Sequence, residues 1–112
     1  MNYQDWMNHV SGFANSKLTS NELLSNFALG LACEVGEAGD VIKKHLYHGD
    51  PLAKDKLIKE LGDVAWYWTA LCQQLDIDPA DVLQKNVDKL RARHKGTAFD
   101  GYAQRASKAA EL

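Results

Sequence analysis

Apolar residues recur at intervals of three and four along most of this chain, the period of helices that bury one side. Trp6, Val10 and Phe13, with Met7 and Ala14 beside them, predict a short first helix over about residues 3 to 15. Ser16 to Ser20 break it, and Thr19-Ser20-Asn21-Glu22 has the form of a capping box, in which the first and fourth side chains satisfy each other's backbone N–H. Leu24, Phe27, Leu31, Val35, Ala38 and Ile42 then hold helical period to about Leu46. Gly30, Gly36 and Gly39 fall inside this helix, where they serve close packing, leave room around neighbouring acids, or are simply tolerated. Asp50-Pro51 reads as the cap and first residue of a third helix, with Leu57, Leu61, Val64, Trp68, Leu71 and Leu75 as its apolar stripe. Asp78-Pro79 repeats that start signal for a fourth, carrying Val82, Leu83, Val87 and Leu90 to about Arg93. No run alternates as a strand does. The pattern predicts an all-α protein, an antiparallel four-helix bundle joined by short turns.

With 112 residues the chain is one domain's worth, expected to span 1–112, with 94–112 a tail that is mobile or makes oligomer contacts. The Ala-rich stretch 103–110 reads as either a short helix or a mobile end. Thirteen Lys and Arg against fifteen Asp and Glu leave a net charge of -2, without the basic field or basic-aromatic stripe of a nucleic-acid binder. No segment approaches a membrane span and the amino terminus has no targeting pattern, so no membrane partner and a cytoplasmic location are expected. Cys33 and Cys72 lie inside apolar helical patterns, which predicts reduced, buried thiols and no disulfide. Trp66 and Ala70 extend the third helix's apolar surface beyond its stripe, more than so short a chain covers alone, so a homo-oligomer is expected.

The chemistry gathers at a duplicated acidic turn, Glu34-Val35-Gly36-Glu37 and Glu60-Leu61-Gly62-Asp63. Acids three residues apart on a helix diverge by only about 60° and reach toward a common point. Both pairs border the apolar stripe rather than the centre of a polar face, and four carboxylates so placed repel one another without a cation. An all-oxygen set suits a hard divalent ion such as Mg²⁺, and the lack of His or Cys in the turns argues against zinc. The competing reading is a pair of solvated helical faces, salt-bridged to Lys43, Lys44, Lys56 or Lys59. Asp40, one turn beyond Glu37, is placed to support the ligands, and Tyr67, one turn beyond Asp63, shares the acidic flank. By position Trp6, His9, Phe13 and Tyr67 are the aromatic groups available to stack on a flat ligand, although most aromatics at helical spacing are core.

Ala28-Leu29-Gly30-Leu31 leading into Glu34-x-x-Glu37, then Asp40 with Lys43-Lys44, His48-Gly49, and Lys59-Glu60-Leu61-Gly62-Asp63 with Trp66-Tyr67, followed by Asn86-x-x-Lys89-Leu90-x-x-Arg93, together resemble the MazG-like nucleoside triphosphate pyrophosphohydrolases of the all-α NTP pyrophosphatase superfamily. The resemblance implies Mg²⁺-dependent cleavage of a (d)NTP between its α and β phosphates, releasing (d)NMP and pyrophosphate, with Mn²⁺ able to substitute and nucleotide-pool house-cleaning as the role. It implies Glu34, Glu37, Glu60 and Asp63 as metal ligands and catalytic acids, Asn86, Lys89 and Arg93 at the phosphates and sugar, and His9, Phe13 and Tyr67 at the base. It also implies a homodimer or a dimer-of-dimers tetramer. Two departures stand out. Cys33 occupies the place where some relatives carry a further Glu, and His94-Lys95-Gly96-Thr97-Ala98-Phe99-Asp100 is longer than the ending of many relatives. The alternatives are a divalent-metal-binding protein without turnover and a helical protein-interaction module.

Overall fold

The computed structural model describes residues 1–13 and 17–95. They form α1 (Tyr3–Ser11), α2 (Ser20–Tyr47), α3 (Lys54–Gln74) and α4 (Pro79–His94), with no strand among them. None of these helices is long and apolar enough to cross a membrane. The fold is all-α, as the periodicity predicts. The chain divides into two compact units, Met1–Asp76 and Ile77–Leu112.

In the first unit α2 and α3 run antiparallel along each other and α1 packs on α3. The register is visible from end to end. Gln74 donates to the Ser20 carbonyl at 3.1 Å, Tyr67 lies against Gly30, and Val41 borders a small cavity with Ala53 and Lys56. Val10, Phe27 and Ala70 form the buried cluster, with Trp6, Leu23, Trp66, Tyr67 and Leu71 around it. The face of α3 that meets its neighbours therefore runs through Trp66 and Ala70, the two residues the sequence assigned to assembly. The predicted stripe is rotated away from it in part: Leu61 is 53% exposed and Leu75 48%, as is Val35 of α2 at 54%. Leu, Ile and Val mark several sides of these helices, so periodicity alone selects the side with more large aliphatics rather than the side that packs. Cys72 is buried as expected, whereas Cys33 is exposed; both are free.

The helix ends follow local chemistry. Thr19 caps α2 through a complete capping box with Glu22, as predicted, and Asn2 and Asp5 make a second one at α1. The first helix ends at Ser11, capped by Gly12, short of the predicted end at about 15, and residues 14–16 lie outside the described ones. The third helix starts at Lys54, later than Asp50-Pro51 suggested. Asp50 is instead tied to the end of α2: its N–H bonds the Lys44 carbonyl at 3.2 Å and its carbonyl meets His45 Nδ1 at 2.8 Å. Gly49, at φ 75°, makes the left-handed turn that permits this closure.

In the second unit α4 starts as predicted, Asp78 accepting from the Ala80 N–H at 3.0 Å with Pro79 in the first turn. Val82, Val87 and Leu90 are half-buried on it. The stretch 96–112, including the expected tail helix, lies outside the described residues.

Candidate active site

The inward positions of α2 follow one another at helical spacing: Leu23, Phe27, Gly30, Glu34, Ala38 and Val41 are all buried or half-buried. Glu34 thus lies in line with core residues, not on a polar face. On α3 the equivalent line passes through Glu60, Val64, Tyr67 and Ala70. The antiparallel register sets Glu34 against Glu60. A carboxylate oxygen from each of Glu34, Glu60 and Asp63 lies within 4.8 Å of the others. Glu37, the fourth predicted acid, is exposed and stands outside this group.

The electrostatics match the geometry. The Glu34 carboxyl is raised above its usual value, first by a hydrogen bond with Glu60, then by partial desolvation and by the charges of Asp63, Glu60 and Glu37. Glu37 therefore acts on the cluster through its charge. Lys43 and Lys44, which the sequence offered as salt-bridge partners for the acids, pair with Asp40 at 3.4 and 2.9 Å. Those contacts hold the Asp40 carboxyl below its ordinary range and occupy the residue that was expected to support the ligands. What remains is a set of hard oxygen donors that crowd one another, the donor chemistry suited to Mg²⁺ or Mn²⁺.

Beside the acids opens a cavity of about 340 Å³, lined by His9, Phe13, Glu34, Asp63, Trp66 and Tyr67. The first helix supplies one wall because it is pinned to α3. Trp6 Nε1 donates to Thr69 Oγ1 at 3.0 Å, and Gln73 Nε2 to the Met7 carbonyl at 3.1 Å. His9 and Phe13, one and two turns from Trp6, pack edge to face with ring centres 5.3 Å apart. Opposite them Trp66 and Tyr67 meet edge-on at 5.2 Å. The structure thus brings His9, Phe13 and Tyr67 to the same cavity as two of the acids. Trp66 was missed as a lining residue, although its spacing of three from Asp63 carried the same signal that singled out Tyr67. Asn86, Lys89 and Arg93 are exposed on α4, at spacings that put them on one face of that helix.

These features define a class: an all-α protein with a three-carboxylate cluster, two members of which line an aromatic cavity. Comparison with known proteins gives the family. The MazG nucleotide pyrophosphohydrolase domain matches residues 24–98, and the chain belongs to that family. The "Gene 37 protein" of Mycobacterium phage L5 is 41% identical over 86 residues, which cover 73% of this chain and 75% of that protein. No solved structure matches.

Proposed function

We propose that this protein is a Mg²⁺-dependent nucleoside triphosphate pyrophosphohydrolase that cleaves a (d)NTP between the α and β phosphates. The observation that carries the reading is the juxtaposition of Glu34 and Asp63 with His9, Phe13, Trp66 and Tyr67 around one cavity. Flat aromatic walls suit a nucleobase, and acids at the same opening suit the metal that a triphosphate brings with it. Glu34, Glu60 and Asp63 would hold the ion, with Glu37 the further ligand that the family resemblance implies. When bound, Mg²⁺ neutralises phosphate charge and lowers the pKa of coordinated water. Glu34 is the acid assigned to accept the proton of the water that attacks phosphorus as the bond to the pyrophosphate oxygen breaks. Asn86, Lys89 and Arg93, exposed on α4, are the residues that the family resemblance assigns to the phosphates and sugar. Mn²⁺ substitutes for Mg²⁺, and house-cleaning of the cytoplasmic nucleotide pool is the role such a reaction serves.

Exposed Val35, Ile42, Ile58 and Leu61 on the hairpin support assembly into a homodimer or a tetramer of two dimers. The test of the reaction is product analysis of the purified chain with Mg²⁺ and a panel of NTPs and dNTPs, beside Glu60→Gln. Nucleoside monophosphate and pyrophosphate should form, and the variant should lose more than about 100-fold, beyond the range seen when only a ligand's supporting partner is removed. Absence of turnover with Mg²⁺ still raising Tm would leave a metal-binding protein; absence of both would leave an interaction module.

A further inference from the structure

Four glycines lie within α2 and α3, and three of them, Gly36, Gly39 and Gly62, have open space where a Cβ would stand. Gly30 is different. A Cβ there would stand 2.5 Å from Tyr67 Cδ1 and 2.7 Å from Cζ, with Cε1 closer still, well inside any contact that real Cβ atoms make. The Tyr67 ring therefore lies in the groove that the missing side chain leaves in α2. Beside it Trp66 meets it edge-on at 5.2 Å, and buried Phe27 meets Trp66 at 6.0 Å. The ring also lines the cavity, with His9, Phe13 and Trp66. Gly30 precedes Glu34 by one turn and Tyr67 follows Asp63 by one turn, so the groove lies directly beside the acids.

We infer that Gly30 is a positioning residue for substrate selectivity: by letting Tyr67 sink into α2, it sets the width available to the base. The inference rests on the triphosphate reading of the cavity. An added methyl at 30 overlaps the ring, and the open space into which Tyr67 can move is the cavity, which narrows while Glu34, Glu60 and Asp63 stay in place. Bicyclic bases feel this more than monocyclic ones. One methyl group in a pocket commands about 10-fold or more in selectivity.

The experiment is a double-mutant cycle of Gly30→Ala and Tyr67→Ala, read with one purine and one pyrimidine triphosphate. Gly30→Ala should raise KM about 10-fold for the purine and less for the pyrimidine, with kcat and the Mg²⁺-induced rise in Tm retained. In the Tyr67→Ala background the same change should do nothing further, because the ring it displaces is gone. That background also restores room at position 30, so the cycle can be read even if Gly30→Ala alone folds poorly. An unchanged KM ratio, or effects that simply add, would overturn the inference and leave the hydrolase standing. A wild-type chain without turnover overturns the hydrolase reading and the selectivity role with it; near-UV circular dichroism then still shows whether Gly30→Ala moves the ring.

Discussion

Thr69, only 1% exposed, is the most deeply buried polar residue among the described ones, and one hydroxyl does two jobs there. Its Oγ1 accepts the Trp6 indole N–H at 3.0 Å and donates to the Ala65 carbonyl at 2.8 Å. Thr69→Val keeps the shape but leaves the indole N–H without its acceptor, a loss of about 1–3 kcal/mol in urea unfolding. Thr69→Ser should recover much of it, since the hydroxyl returns. Single residues were the hardest scale to read from sequence. That Glu34, Glu60 and Asp63 meet was legible because their offset repeats, although the same repeat named Glu37, which stands outside them, and the place of Tyr67 was legible because it follows Asp63 by one turn. Thr69 was not, because its partner Trp6 lies 63 residues away and no local pattern announces the bond. Gly30 resembled Gly36 and Gly39 until α3 was placed against it.

Helices begin and end where side chains meet backbone, and there the sequence was most explicit. Thr19 accepts from the Glu22 N–H at 3.2 Å, and Glu22 accepts from the Thr19 N–H at 3.1 Å. These bonds hold the Glu22 carboxyl below its ordinary value of 4.5. The folded state then binds this proton less readily than the unfolded chain, so the contribution is complete above 4.5 and fades as pH falls through the lowered value. Melting curves collected between about pH 3 and 6 should show a smaller acid-side loss of Tm in Glu22→Gln than in wild type. The start of α3 misled because Asp50-Pro51 has the composition of a helix start, while the bonds of Asp50 belong to the end of α2. Composition cannot say to which of two adjacent helices a turn residue answers.

At the scale of the whole chain, the fold class followed from periodicity, but the choice of buried face did not. The acidic hairpin turns Phe27, Trp66 and Ala70 inward and leaves Ile58, Leu61 and Val35 outside. If those residues meet a second copy, Leu61→Glu should shift light scattering toward the monomer. The helix content should hold, because Leu61 is already more than half exposed in the single chain. A monomeric wild type with the same mass as the variant would remove the assembly reading.

The carboxylates on the inward line of α2 and α3 set folding and chemistry against each other within a single hairpin. At Glu34 and Glu60 a neutral side chain would relieve the crowding of charge, and the same replacement would empty the site of its donors. Selection for endurance alone would erase these acids first, keep Phe27 and Ala70 untouched, and arrive at a sturdier hairpin with nothing left to do.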